Sequence, residues 1–351
     1  MGDKLGFTHN IKMDKVNNHT NPGKRIEWVD IVKGLLILTI ILGHAIQESL
    51  KVRFISFEDN LWRNIIYSFH MPAFMAMSGY VAQGKVFRIG GLYKRFSSLM
   101  FPFFVWSIPL FLIYHNVDNI LEYIVYPNKG YWFLWALFFI ICIKTVGDWI
   151  CLKTNIYEEV VSVIIALSLI GCQTLLNDPK LLGYEYVAYY YIFYIMGYYA
   201  RKYSKYFSFN NFIAWTIFAL WAAMALYWTP NGIPFFLEGI TFVPTKILQL
   251  AYRMITPTVF IVWMYAVAPK IRISNNWIRN ILIELGQVSL GLYVTHMVVK
   301  QLFAEALFKA APLPIWSQVL IEFIILTLFS VAVVRYISRT KRPAKWMLGK
   351  S

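Results

Sequence analysis

The chain has 351 residues, of which 58% are hydrophobic and 15% charged, and its mean hydropathy is +0.53. Soluble domains carry roughly 25% charged residues, and a soluble core does not need apolar stretches of about 20 residues following one another almost to the C-terminus. The net charge of +15 is spread over short segments between apolar runs, which argues for retention at an anionic membrane surface and against nucleic-acid binding.

Residues 1–24 are polar and lack an apolar signal core, so they are expected to form a disordered cytoplasmic tail rather than a cleaved signal peptide. Residues 25–340 read as one all-α, polytopic transmembrane bundle, and 341–351 as a short basic cytoplasmic tail. Apolar segments fall at about 27–47, 65–83, 98–115, 131–143, 157–175, 186–200, 210–228, 247–268, 280–302 and 316–335, the fourth being the shortest. That pattern predicts about ten helices. Of the 33 Lys and Arg residues, 23, Lys144 among them, lie in segments on the side of the N-terminus, and seven, Arg63 among them, on the opposite side. This asymmetry predicts cytoplasmic N- and C-termini and an even helix count.

The first segment, WVDIVKGLLILTIILGHA (28–45), carries Asp30, Lys33 and His44. Charge inside lipid is costly and points to a bundle interior or a pathway. Lys33 and His44 are eleven residues apart, so on a helix they share nearly one face, roughly 16 Å apart along the axis. Asp30 and Lys33 have two readings, a satisfied ion pair near the interface or a functional cation, and Gly34 permits close approach of a helix or a ligand.

His70, in SFHMPAFMAMSG, begins the second segment, which Pro72 should loosen and whose Ser78 and Gly79 form a small packing face. The next corner, KVFRIGGLYKRFSS, concentrates Lys85, Arg88, Lys94 and Arg95 beside two glycines, suited either to anchoring at the inner leaflet or to holding phosphates. YWFLWALFF (131–139) fits an interfacial belt and core packing, and equally stacking on a sugar or lining an acyl tunnel. Cys142, Cys151 and Cys172 form no metal or disulfide pattern, and there is no glycine-rich phosphate loop, so no metal and no tightly bound cofactor is expected.

Arg253 in the eighth segment either snorkels or holds an anionic substrate or oxyanion. In the ninth, Glu284 has Arg279 as its credible local partner, and Ser289 and Gly291 lead to His296. His44, His70 and His296 all fall in the outer half of the derived topology. They are either packing histidines or imidazoles able to take a proton from a hydroxyl near neutral pH.

Taken together, DIVKGLLILTIILGH (30–44), FHMPAFMAMSG (69–79), KRFSSLMFPFF (94–104), YWFLWALF (131–138) and LGQVSLGLYVTH (285–296) resemble, in order, the acyltransferase-3 family of integral membrane acyltransferases. The resemblance implies a ten-helix domain that moves an acyl group, acetyl being expected, from cytosolic acyl-CoA to a hydroxyl of an extracytoplasmic glycan or related surface molecule. The family's arginine, ten residues and histidine pattern maps onto Lys33 and His44. Its Arg-x-x-Arg pattern maps onto Arg95 and Ser98, so the second cation is missing. On this reading Lys33 and Arg95, with Arg88 or Lys94, would bind the CoA phosphates, His44 would be the general base, and His70, His296 or Arg253 would orient the acceptor or support the oxyanion. Membrane lipids are the remaining expected partners. The alternative reading is a transporter or flippase for a glycan or small anion, with Asp30, Lys33, His44 and Arg253 lining its route.

Overall fold

The computed structural model describes residues 25–51, 60–84, 89–114, 117–207, 209–308 and 313–349. The expected N-terminal tail and the cations Lys85 and Arg88 lie outside them. Among the described residues all regular structure is helical. In chain order the α-helices are α1 (Glu27–Lys51), α2 (Leu61–Tyr67), α3 (His70–Ala82), α4 (Ile89–Tyr114), α5 (Glu122–Val125), α6 (Trp132–Thr154) and α7 (Glu158–Leu175). They continue with α8 (Tyr184–Lys202), α9 (Asn211–Leu226), α10 (Thr245–Val267), α11 (Asn276–Gln287), α12 (Ser289–Phe308), α13 (Ile315–Ser338) and α14 (Lys341–Leu348).

Among the described residues five helices, α1, α4, α6, α10 and α13, are long and apolar enough to cross a bilayer on their own. Two expected spans are broken instead. The segment 65–83 divides into α2 and α3 around Phe69, because Pro72 has no N–H to donate to the carbonyl four residues earlier. The segment 280–302 divides into α11 and α12, which meet at an angle of 79° and together make a sixth candidate span. The short fourth segment, by contrast, extends to Thr154 as a 23-residue helix.

Glycines set two of the closest helix contacts. A Cβ on Gly79 would collide with the Tyr194 carbonyl, and one on Gly197 with the Ala76 carbonyl, so α3 and α8 touch backbone to backbone. Gly34 against the Leu282 carbonyl and Gly286 against the Asp30 carbonyl do the same for α1 and α11. Gly34 therefore serves helix packing, the first of its two readings.

Lys144, expected among the inner-loop bases, is only 1% exposed. Its ammonium bonds to Asp148 and, at 2.6 Å, to Glu158, with the Tyr198 ring 4.3 Å away. It ties α6, α7 and α8 together, as a buried cation must be paired to persist.

The expected C-terminal tail is also structured. Helix α14 stacks Trp346 on Phe101 of α4, centroids 4.5 Å apart and nearly parallel. The Trp106 indole donates to the Met347 carbonyl at 2.7 Å, and a Cβ on Gly349 would strike the Ser98 carbonyl.

Candidate active site

The three predicted histidines converge from α1, α3 and α12. The His44 and His296 rings are 5.2 Å apart with a tilt of 39°, and His70, His296, Arg63 and Lys300 all lie within electrostatic range of His44. Their surroundings differ. His296 is fully buried and His70 is 4% exposed, whereas His44 keeps accessible surface. His70 Nδ1 lies 2.7 Å from the Ile66 carbonyl, and His296 Nδ1 lies 2.9 Å from the Leu292 carbonyl. A carbonyl only accepts, so both Nδ1 atoms carry the hydrogen and each Nε2, on a neutral ring, is a bare acceptor.

The wall around this cluster is polar. Tyr67 donates to Gln47 Oε1 at 2.8 Å and packs edge-on against His70 at 4.8 Å. Arg63, counted in the sequence as an outer-loop base, is instead 7% exposed. Its guanidinium lies 4.1 Å from the centre of the Tyr67 ring and donates to Asn64 Oδ1 at 3.2 Å.

One turn beyond the histidines, Lys300 on α12 meets Glu48 on α1 at 2.9 Å, and both are buried. Beside them Ser49 donates to Glu322 on α13 at 3.1 Å. Glu48 is four residues after His44, and Lys300 four after His296, so each pair shares a helix face. That spacing was the available signal for a pairing the sequence reading missed.

At the other end of α1, Lys33 is partly buried and makes no hydrogen bond or ion pair with the described residues. The ion pair with Asp30, one of the two sequence readings, does not form: Asp30 accepts from Gln287 Nε2 at 3.4 Å instead. Gly286 holds α11 against the Asp30 backbone, which places Gln287 beside that carboxylate. On α4, Lys94 is exposed and Arg95 partly buried. Ser98, at the position of the absent second cation, donates its hydroxyl back to the Arg95 carbonyl at 3.1 Å. Arg88 lies outside the described residues.

Glu284 departs from expectation as well. It takes a two-pronged contact from Arg335 on α13, both bonds 2.9 Å, while Arg279 pairs with Glu27 at 3.1 Å. Separated from α12 by the 79° bend, α11 presents its charges to α1 and α13.

Arg253 is not packed on the histidines. Its guanidinium lies 5.3 Å from the centre of the Tyr189 ring, whose hydroxyl donates to the Arg253 carbonyl at 2.7 Å. Rings nevertheless connect this region to the histidine pair. Tyr293 is 5.9 Å from His296 and 5.5 Å from Phe133, and Trp132 stacks on Tyr186 at 4.6 Å and Tyr190 at 4.9 Å. Tyr131 locks the start of α6 to α12 by donating to the Val294 carbonyl at 2.9 Å.

A buried imidazole pair with one accessible member, at the far end of a helix from an unpaired cation, is an arrangement suited to moving a proton beside a bound anionic substrate. Comparison with known proteins places the chain: the model of the acyltransferase domain matches residues 26–339. The chain belongs to the acyltransferase-3 family. It is also similar to the nodulation protein NolL of Mesorhizobium japonicum, 32% identical over 120 residues, which cover 31% of this chain and 32% of the relative. NolL of Sinorhizobium fredii is 33% identical over 123 residues, with the same 31% and 32% coverage. The chain thus spans about a third of the length of the curated relatives it matches. No solved structure matches.

Proposed function

We propose that this acyltransferase-3 protein transfers an acyl group, acetyl in the simplest case, from cytosolic acyl-CoA to a hydroxyl of an extracytoplasmic carbohydrate. The observation that carries the reading is His44, an imidazole deep in an acyltransferase-family bundle that alone of the three clustered histidines keeps accessible surface. The asymmetry of Lys and Arg orients the bundle with both termini cytoplasmic. Ten passes would follow if the five self-sufficient spans and the bent pair α11 and α12 are joined by the broken pair α2 and α3 and by the shorter or more polar α7, α8 and α9.

In that frame Lys33 and Arg95 face the cytoplasm and meet the CoA phosphates, as unpaired cations beside a water-accessible face can. The cations of α14, docked beside Ser98, supply charge where the family's second arginine is missing. His44 takes the proton of the acceptor hydroxyl as its oxygen attacks the thioester carbonyl carbon. The carbon–sulfur bond breaks, and the departing thiolate takes that proton back. The aromatic surface from Tyr293 to Trp132, with Arg253 at its edge, faces the acceptor side. The similarity to nodulation proteins is compatible with a cell-surface acceptor.

Membranes containing the protein, incubated with labelled acetyl-CoA and extracted surface glycans, are expected to yield a labelled, alkali-labile ester on a sugar hydroxyl. His44→Ala should remain folded in the membrane and give no ester. Glycan flux without donor consumption would instead support the transporter reading.

A further inference from the structure

We infer that His296 is a positioning residue that fixes the tautomer of His44, leaving His44 Nε2 as the atom that meets the acceptor hydroxyl. This rests on the reading of His44 as the base. The argument begins at the Leu292 carbonyl, which can only accept, so the hydrogen of a neutral His296 sits on Nδ1, 2.9 Å away. His296 Nε2 is then a lone pair. It is buried without a partner among the described residues, a condition that costs free energy unless something donates to it.

The neighbouring ring supplies the matching vacancy. His44 Nδ1 is likewise buried and unpartnered, whereas its Nε2 is not among the buried unpartnered atoms. Two orphans on rings 5.2 Å apart are satisfied together by one assignment: His44 carries its hydrogen on Nδ1 and donates it to His296 Nε2. The separation suits that bond, since an N–H···N contact of about 2.9 Å plus roughly 1.1 Å from each ring centre to its nitrogen spans it. The rings are tilted by 39° and the bond is open as they stand. Rotation of His44 about its Cβ–Cγ bond closes it, and torsions of that kind are broad.

The other groups around His44 do not offer the same partner. Lys300 is a donor held by Glu48, and Arg63 is a donor held on Tyr67 and Asn64; His70 Nε2 is also a bare acceptor, but unlike His296 Nε2 it is not among the buried unpartnered atoms. The chain of bonds from the Leu292 carbonyl through His296 to His44 has the logic of a hydrolase triad, in which the group behind the base fixes its orientation and tautomer. With the opposite tautomer, Nε2 of His44 would present a hydrogen and could not accept one.

The test is nitrogen-15 NMR of histidine-labelled protein in lipid nanodiscs, with His44 assigned by loss of its signals in His44→Gln. In the wild type, at a pH where the ring is neutral, His44 is expected to be protonated at Nδ1 and bare at Nε2. His296→Phe should release His44 to the other tautomer or a mixture and lower kcat about 10²- to 10⁴-fold, with the acyl-CoA KM unchanged. His296→Gln, whose side-chain carbonyl still accepts, should keep the wild-type His44 signature and recover most of that loss. A wild-type His44 protonated at Nε2, or a His44 tautomer indifferent to His296→Phe, would overturn the inference. Turnover by His44→Ala alongside the expected spectrum would support the histidine bond and remove only the base assignment it serves.

Discussion

The two ends of α1 handle polarity in opposite ways. Toward its C-terminus every buried charge is tied to another helix: Glu48 holds Lys300 at 2.9 Å, and Ser49 holds Glu322 at 3.1 Å. Toward its N-terminus Lys33 has no hydrogen bond or ion pair among the described residues, and Arg95 on α4 is likewise uncommitted. A proton-transfer site must be in place before its substrate arrives, because reorganisation during reaction costs rate. A phosphate-binding site can be completed by its ligand, provided water reaches the cations in the meantime. On the proposed reading, then, burial separates a preassembled end from one that its substrate finishes.

That contrast can be broken most directly at His44. His44→Ala should lower kcat by about 10³-fold or more, with protein yield and thermal stability in detergent close to wild type. Glu48→Gln should act on stability first, because it removes the carboxylate 2.9 Å from the buried Lys300 ammonium; the expected cost is up to about 3–5 kcal/mol, read as a lowered unfolding temperature. Lys300→Met should cost less, since Lys51 stands 3.9 Å from Glu48 and can share its charge. If Glu48→Gln melted at the wild-type temperature, the C-terminal end of α1 would not be the locked region described above.

Much of this architecture was legible in the sequence, and the exceptions share a physical cause. Apolar length announced α1, α4, α10 and α13, whereas α6 was expected only over 131–143, and Pro72 announced a loosening at the start of the second segment, where α2 and α3 divide. No proline marks the 79° bend at Val288, and the flanking Gly286, Ser289 and Gly291 permit a bend without setting its angle; α11 packs against α1 there through Gly286 and Gly34. His44 and His296 stood out because imidazoles are conspicuous in apolar helices. The Glu48 and Lys300 pairing spans 252 positions, so it is decided by the fold and not by neighbours in the chain. Lys144 and Arg63 were misread for a related reason: the apolar run ends at 143, so Lys144 reads as a loop base although α6 continues to Thr154, and neither cation's local sequence shows whether it turns outward to water or inward to a partner.

The donor end should respond in binding rather than in stability. Lys33→Ala is expected to raise the acyl-CoA KM about 10- to 100-fold, the range for losing a charge-assisted hydrogen bond of 1.5–3 kcal/mol, with little change in unfolding temperature. Lys33→Arg should lower KM modestly, since the guanidinium offers a planar two-pronged grip on phosphate. A large loss of thermal stability in Lys33→Ala would erase the distinction between the two ends.

The smallest expected effect probes the same end from the other side. Ser98 stands where the resemblance maps the family's second arginine, and it donates its hydroxyl to the Arg95 carbonyl at 3.1 Å, so it contributes no charge. Helix α14 nevertheless lies against it: the backbone at Gly349 touches the Ser98 carbonyl, and Trp346 stacks on Phe101. Helix α14 carries Lys341, Arg342 and Lys345. If those cations already serve the donor, Ser98→Arg should lower the acyl-CoA KM by no more than about threefold, because added charge in a water-accessible, already basic site is screened. Trp346→Ala, which loosens α14, should raise KM in the wild type and restore the sensitivity to Ser98→Arg. A tenfold gain from Ser98→Arg with α14 intact would show that the charge at Ser98 is missing and that α14 does not replace it.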